Sequence, residues 1–333
     1  MKKKSLFFLS MLIVILLTAC GNTDTNTSAP KVDDEEKLLS VFTTAYPLQY
    51  FTERIGGSYV DVKSIYPAGT DEHTFDPTQK DMIALADSDL FFYIGLGLEG
   101  FVENAKKSMQ GEHVKMIATA ESIPEEMLLE DDEEDSDNDE DSSDEHDAEF
   151  DEHEDHGAYD HHVWISPVLS VELASSIKNS LIEAAPNKKA DFEKNFESLR
   201  TDLMALDNKF KEMALNSTTK TFFVSHAAFG YIAKTYGLEQ VAIAGLNSQS
   251  EPSQKQLASI VKSAKEQEVK YVFFEQNVSS KLTDIVRKEV GAESLTLHNL
   301  GVLTAEDIKN KEDYFSLMER NINTLKKALG GKK

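Results

Sequence analysis

Nine histidines are the side chains of this sequence best suited to hold a transition metal, and two of them follow predicted strands directly. His73 follows the apolar stretch VDVKSIYP and precedes a helical pattern that opens at Pro77. His226 follows the apolar stretch KTFFVS and also precedes a helical pattern. Ligands of parallel α/β sheets bind beyond the carboxyl ends of strands, so both imidazoles are expected at such an edge.

A third candidate lies in the segment YDHHVWISP, where two adjacent histidines stand beside the only tryptophan. His162 precedes a helical pattern that runs from Pro167. Three imidazoles from three such junctions could converge on one cation between two domains. Each histidine alone is more easily explained as a hydrogen-bonded polar residue, but the three together favour a metal site.

The single cysteine, Cys20, stands apart from these residues near the N-terminus. A lysine cluster and an apolar stretch from Leu6 to Leu17 precede it, which is typical of an export signal with a lipobox and too short for a permanent membrane span. We therefore expect a signal peptide over residues 1–19, lipidation of Cys20 and a polar tether over residues 20–36. The mature chain would have no thiol, so a transition-metal site must use His, Asp or Glu.

The elements that must position the histidines alternate regularly along the chain. Apolar strand patterns interleaved with helical patterns are typical of βαβ units and parallel sheets. The expected fold is α/β, with two parallel-sheet domains over residues 37–185 and 217–333. The predicted strands are Leu38–Thr44, Val60–Pro67, Asp89–Gly95, His113–Thr119, Lys220–Ser225, Gln240–Gly245, Val269–Glu275 and Ser294–Leu300.

One long helical pattern separates the two groups of strands. From Phe192 to Met213, apolar residues recur at alternating steps of four and three, which predicts one helix face turned toward a core. The predicted connecting helix covers residues 186–216. A single rigid helix between the domains would disfavour a large hinge closure.

The acidic character of the chain is concentrated in one segment. The formal net charge is −25, and Glu130–Asp155 contains 18 acidic residues without Lys or Arg, which leaves −7 for the rest. Such a run is typical of a solvated insertion, and no basic patch for nucleic acid is present. The loop of residues 130–161 could collect cations weakly or be an insertion without such a role. Its histidines are His146, His153, His156 and His161.

Five segments in order resemble the metal-binding lipoproteins of bacterial ABC importers, specifically their zinc-binding branch. They are PAGTDEHTFDPTQKDMIALADSDLFFYIGLGLEGF, HHVWISP, SHAAFGYIAKTYGL, EPSQKQL and FFEQNVSSK. The similarity extends from about Leu38 to the C-terminus and implies two α/β domains joined by one long helix. It also implies capture of Zn²⁺ and delivery to a membrane permease. The protein would be a monomer, lipid-anchored on the outer face of a cytoplasmic membrane, as in a Gram-positive bacterium.

Residue by residue, the resemblance implies that His73, His162 and His226 are the zinc ligands. His162 rather than His161 matches the histidine of the family's HVW motif, and Trp164 is expected to pack behind it. Manganese-binding relatives typically have Glu at the position of His226. Because imidazole nitrogen suits Zn²⁺ and Mn²⁺ prefers oxygen donors, His226 favours zinc.

The fourth ligand stays open at this point. Some relatives place a carboxylate in the loop after the last strand, but that loop reads LHNLGVL here. Water, Glu72 or Glu275 could complete the site. Glu275 ends an apolar strand and so lies at a ligand-binding edge, but it could equally be a hydrogen-bonded residue between domains.

Other functions remain to be weighed against zinc capture. A manganese- or iron-binding lipoprotein is disfavoured by His226, and no residue demands a surface adhesin, although fold alone does not exclude one. Three histidines and water would leave an open position, as in a catalytic zinc site. The HExxH and GxSxG motifs of hydrolases are nevertheless absent, and the HEDH at His153 has the wrong spacing. We therefore expect a protein that is not an enzyme.

Overall fold

The computed structural model describes residues 37–130, 159–250, 252–277 and 280–330. The predicted signal peptide, Cys20 and the tether lie outside the described residues, as do His146, His153 and His156 of the acidic loop. Within the described parts of the chain, no helix combines the length and apolar character needed to cross a bilayer.

The N-terminal lobe is built on a four-stranded parallel sheet with the order β2-β1-β3-β4. Its strands are β1 (Leu39–Thr43), β2 (Val60–Ser64), β3 (Leu90–Tyr93) and β4 (Lys115–Ala118). Its helices are α1 (Tyr46–Gly56), α2 (Gln79–Ala86), α3 (Val102–Ser108) and α4 (Pro167–Ala184). All four residues of β3 are buried, as expected for an inner parallel strand covered on both faces.

The C-terminal lobe repeats this order as β6-β5-β7-β8, again with every pair parallel. Its strands are β5 (Thr221–His226), β6 (Glu239–Ala244), β7 (Tyr271–Phe274) and β8 (Glu293–Thr296). Its helices are α6 (Gly230–Tyr236), α7 (Gln254–Glu266), α8 (Lys281–Val290), α9 (Ala305–Asn310) and α10 (Tyr314–Ala328). Each sheet therefore reverses its strand order between its first and third strands, where α/β proteins form crevices.

The predicted parallel α/β fold is confirmed, with two differences in the second half. The last strand ends at Thr296 instead of Leu300, so His298 and Asn299 lie in the loop that follows it. Helices α9 and α10 have no counterpart among the elements predicted from the sequence.

The predicted connecting helix is confirmed as α5 (Lys189–Asn216), preceded by a short 3₁₀ turn over Pro186–Lys188. The apolar residues of its predicted stripe are all buried. Both α4 and α10 pack against this helix. The connector is therefore part of the core and not an exposed linker.

One hydrophobic cluster takes residues from both lobes, so the two sheets share a core. Tyr314 of α10 lies edge-on to Phe51 of α1, with ring centroids 5.0 Å apart, and its hydroxyl donates a hydrogen bond to the Trp164 carbonyl at 3.0 Å. Leu38–Lys333 accordingly forms one compact unit. This shared core fixes the loops of both lobes that carry the histidines.

Candidate metal centre

Three histidines predicted from the sequence come together between the lobes. His73, His162 and His226 each offer one ring nitrogen, and these atoms lie within 4.8 Å of one another. The Nε2 atoms of His162 and His226 are 3.2 Å apart. Two nitrogens bound tetrahedrally at 2.0–2.1 Å from zinc are roughly 3.3 Å apart, so this pair already has the separation of two zinc ligands.

His73 is held by its loop between β2 and α2. Its backbone nitrogen donates to Asp71 Oδ1 at 3.0 Å, and Asp71 Oδ2 accepts from Ser248 Oγ of the other lobe at 2.9 Å. A capping box at Thr78 then begins α2. Burial, reinforced by the charge on His226, lowers the pKa of His73 to about 4. Its Nε2 is buried without a hydrogen-bond partner, as a metal ligand requires.

His162 is oriented by Asp160. One carboxylate oxygen, Oδ1, accepts from the His162 backbone nitrogen at 2.8 Å and lies 2.9 Å from its Nδ1. A hydrogen on Nδ1 directs the Nε2 lone pair toward the other histidines. Burial and the neighbouring imidazoles hold the pKa of His162 well below its usual value. The His162 ring lies 5.3 Å from that of Trp164, whose Nε1 donates to the Asn299 carbonyl at 2.7 Å.

His226 ends β5, and its Nδ1 makes a short contact with Glu275 Oε1, just beyond the neighbouring strand β7. Glu275 also accepts hydrogen bonds from Ser225 Oγ and Asn299 Nδ2, both at 2.7 Å. Burial favours the neutral form of His226, but the Glu275 carboxylate outweighs it and raises the pKa of the imidazole. Burial on its own would raise the pKa of Glu275, but the adjacent His226 outweighs it and brings that pKa below its usual value.

Glu72 is buried on the other side of Asn299, whose amide nitrogen donates to Glu72 Oε1 at 2.9 Å. One amide therefore bridges the two carboxylates of Glu72 and Glu275. Burial raises the pKa of Glu72 to about 7, and the charge on Glu275 acts in the same direction. A Cβ at Gly301 would lie 2.6 Å from Glu72 Cδ, so this glycine leaves the space that the carboxylate fills. Glu72 is not part of the 4.8 Å group of ring nitrogens.

His161 lies closer to the centre than the sequence predicted. It was assigned to the acidic loop, but its side chain is buried, with the ring 4.4 Å from His162 and 5.1 Å from His73. Asp160, the residue before it, is anchored in the fold, since its carbonyl accepts a hydrogen bond from Tyr231 Oη at 2.7 Å. Burial first, and then the neighbouring histidines, hold the pKa of His161 well below its usual value.

Two other described histidines lie outside this centre. His298 is buried, but its Nε2 lies 3.1 Å from Asp307 Oδ2 and its Nδ1 accepts from the Leu300 nitrogen at 2.9 Å. Both ring nitrogens are thus used to hold the loop after β8. The side chain of His113 is 57% exposed and lies near Asp89.

Asn299, Asp160 and Gly301 are the features that the sequence reasoning missed. Their importance comes from contacts between segments distant in the chain, which no local pattern reports. Of the three imidazoles that meet here, His162 and His226 are buried and His73 is partly buried, and carboxylates orient the two buried rings. Nitrogen donors of this kind suit a divalent transition metal such as zinc and fit calcium or magnesium poorly.

The family comparison agrees with this chemistry. The family model for ZnuA, described as "Zinc-uptake complex component A periplasmic", matches residues 41–328. The chain is 37% identical over 328 residues to the high-affinity zinc uptake system protein ZnuA of Bacillus subtilis, covering 98% of each. It is 35% identical over 329 residues to the zinc-binding lipoprotein AdcA of Streptococcus pneumoniae, covering 98% of this chain. The match covers 61% of that longer relative.

Solved structures agree as well. The Zn(II)-bound ZnuA-like domain of Streptococcus pneumoniae AdcA matches with a TM-score of 0.70 at 33% identity, covering 88% of this chain and 99% of that domain. The AdcAII protein of the same species matches with a TM-score of 0.74 at 28% identity, covering 88% and 99%. The resemblance drawn from the sequence is therefore confirmed. The chain belongs to the ZnuA family of zinc-uptake component A proteins.

Proposed function

We propose that this protein captures Zn²⁺ outside the cytoplasmic membrane and delivers it to the permease of an ABC importer. The observation that carries the proposal is the convergence of ring nitrogens from His73, His162 and His226 within 4.8 Å. Membership of a zinc-uptake family supports the same cargo. Reversible capture needs no bond-making chemistry, so the protein is not an enzyme in this account.

In this proposal the three imidazoles bind the ion and two carboxylates orient them. Asp160 orients His162, and Glu275 orients His226. Glu275 would then not coordinate the ion itself, which was one of the possibilities left open by the sequence. Glu275 suits the orienting role because Ser225, Asn299 and the imidazole already engage its two oxygens. Carboxylates behind metal-bound imidazoles fix the ring orientation and make the ligand nitrogen more basic.

Glu72 is the candidate that we propose for the fourth ligand, ahead of water. It is buried beside the centre, and Gly301 leaves room for its carboxylate. Coordination requires Glu72 to shift toward the three imidazoles while Asn299 keeps its bond to Glu275. Three imidazoles and one carboxylate would keep the preference for zinc over manganese.

The proposal also includes the location of the protein. Cys20 would carry the lipid that anchors the chain as a monomer on the outer face of the membrane of a Gram-positive bacterium. The loop of residues 130–161 would raise the cation concentration near the centre through its negative charge, an effect that salt weakens.

Two measurements test the function together. The chain from Gly21 would be titrated with Zn²⁺ and Mn²⁺ against a chelator, with and without Glu130–Asp155. Radioactive zinc uptake would be measured in cells that carry the chain or its His226→Ala variant. We expect one tight zinc site that survives loop deletion, tolerates excess Mn²⁺ and is required for uptake. Equal competition by Mn²⁺, loss of the site with the loop, or uptake without His226 would each reject the proposal.

A further inference from the structure

The four histidine rings of the centre form two kinds of pair. The inner pair, His162 and His226, has each Nδ1 held by a buried carboxylate. The outer pair is His73 and His161, and the Nε2 atom of each has no hydrogen-bond partner among the residues that the structure describes. Carboxylates therefore fix the orientation of the inner pair, whereas each ring of the outer pair has one nitrogen left unpaired.

Both rings of the outer pair present a buried Nε2 without a partner. Leaving a buried nitrogen unpaired is unfavourable, so each such atom in a folded protein needs an explanation. The three-histidine centre explains His73, but His161 is not part of that 4.8 Å group. The imidazole of His161 is thus able to bind a metal and is not used by the proposed site.

The outer pair is less completely buried than the inner pair. His73 is partly buried and His161 is 9% exposed, while both rings of the inner pair are 1% exposed. Of the four, His161 and His162 follow the acidic segment Glu130–Asp155 in the sequence, and His161 is the nearer of the two along the chain. The two outer rings lie 5.1 Å apart, centroid to centroid, which is close enough for small ring rotations to direct both nitrogens at one ion.

We propose that His73 and His161 form a transfer position, in which the two imidazoles and water hold Zn²⁺ while it moves into or out of the three-histidine centre. The inference rests on the proposed function and adds a role for His161. Because His73 belongs to both positions, the ion exchanges His161 for the inner pair without returning to its full hydration shell. Two imidazoles hold the ion more weakly than three, so the transfer position is occupied only briefly.

A position on the path changes rates without changing the end states. His161 therefore accelerates loading and release by the same factor and leaves the dissociation constant unchanged, since that constant compares only the free and fully bound protein. A fourth ligand in the tight site would act differently, because its removal would speed release and weaken equilibrium binding.

The test compares His161→Phe, which keeps a ring against His73 and His162 but removes both nitrogens, with the unchanged chain from Gly21. Stopped-flow mixing measures zinc association, excess chelator measures release, and competitive titration measures the dissociation constant. We expect both rates to fall by about tenfold with the dissociation constant within about threefold. His161→Gln should behave in the same way, and His113→Phe, at an exposed histidine, should change neither rate.

Two results would overturn the proposal while the zinc centre itself stands. Unchanged rates in both His161 variants would make this histidine a packing residue. Faster release with an equal loss of affinity would make it a ligand of the tight site. Tight binding that survives His226→Ala would instead reject the proposed function, so the two failures are distinguishable. Thermal unfolding of each variant confirms that the fold is retained.

Discussion

The two sheets share a strand order, and each has a buried glutamate near its carboxyl edge. In the N-terminal lobe this residue is Glu99. Its carboxylate accepts hydrogen bonds from Thr44 Oγ1 at 2.7 Å and from the backbone nitrogens of Ile94 and Gly95 at 2.8 and 3.0 Å. These donors are neutral, and burial raises the pKa of Glu99 above its usual value. Glu99 thus holds a loop together.

In the C-terminal lobe the glutamate is Glu275, and it is buried to a similar degree as Glu99, with 6% of each residue exposed. Burial again favours its neutral form, but the adjacent His226 reverses the outcome and brings the pKa below its usual value. The difference between the two glutamates is the imidazole against Glu275. That contact orients His226 toward the centre that it shares with His73 and His162 of the N-terminal lobe.

The largest expected effect comes from removing that imidazole, which would leave the C-terminal edge with a buried carboxylate alone. We expect His226→Ala to weaken zinc binding by about a hundredfold to a thousandfold. A four-ligand zinc site binds its ion with a free energy of roughly 10–16 kcal/mol, and the loss of one ligand removes about a quarter of it. Competitive titration measures the loss. His73→Ala and His162→Ala should show losses of the same order, and an unchanged affinity in any of the three would remove that residue from the ligand set.

A matched pair of glutamate variants sharpens the comparison. Glu275→Gln removes the charge behind His226 and should lower zinc affinity by about tenfold to a hundredfold, as expected for the partner of a ligand. Glu99→Gln makes the same change at the other edge and should leave zinc affinity as it is. Both variants would be titrated after their folding is checked by circular dichroism. Equal losses in the two would mean that Glu275 acts only through the fold.

Removal of the proposed fourth ligand should cause a smaller loss of zinc affinity. If Glu72 coordinates the ion, Glu72→Gln should weaken zinc binding by about tenfold, or 1.4 kcal/mol, because water can take its place. Competitive titration of this variant decides between Glu72 and water. Water is the fourth ligand if Glu72→Gln binds zinc as tightly as the unchanged chain.

The pH dependence of zinc affinity should reflect the difference in pKa between His226 and the other two histidine ligands. The pKa of His226 is raised, so this ring is protonated below that value and must lose a proton to bind zinc. His73, with a pKa of about 4, and His162, with a pKa well below its usual value, are already neutral near pH 6. Affinity should therefore fall by about tenfold per pH unit from His226 alone once the pH is below the pKa of that ring. The fall is steeper if Glu72 coordinates the ion, because its pKa is about 7 and it must then lose a proton as well.

Glu275→Gln provides the control for that profile. Without the carboxylate, the largest upward effect on the pKa of His226 is lost, and only the smaller effects of Glu72 and Asp71 still oppose burial. The decline in affinity should therefore move to lower pH. Zinc titrations at a series of pH values measure both profiles. A profile that is the same in both proteins would show that another group releases the proton.

Much of this fold could be predicted because its information is local. Strand and helix periodicities gave the parallel sheets, and the stripe from Phe192 to Met213 gave the connecting helix. The last two helices, which were not predicted, also begin with capping residues that are visible in the sequence. Thr304 and Asp307 form a capping box that begins α9, and Asp313 caps α10.

The rest of the centre depends on contacts that the sequence does not display. His161 looked like the end of an acidic tract, yet Tyr231 of the other lobe anchors the residue before it. Asn299 follows a strand that ends earlier than its apolar pattern suggested. Its amide bridges Glu72 and Glu275, which are 203 positions apart in the numbering of the chain. The roles of these two carboxylates therefore could not be separated by sequence reasoning.

The most direct measurement is a crystal structure of the zinc-loaded chain from Gly21, with anomalous scattering recorded at the zinc edge. We expect one strong zinc peak bound by Nε2 of His162 and His226 and by His73, with Glu275 on Nδ1 of His226 and not on the metal. A main peak bound by residues 131–158, or zinc coordinated by Glu275 in place of one of these histidines, would contradict this expectation.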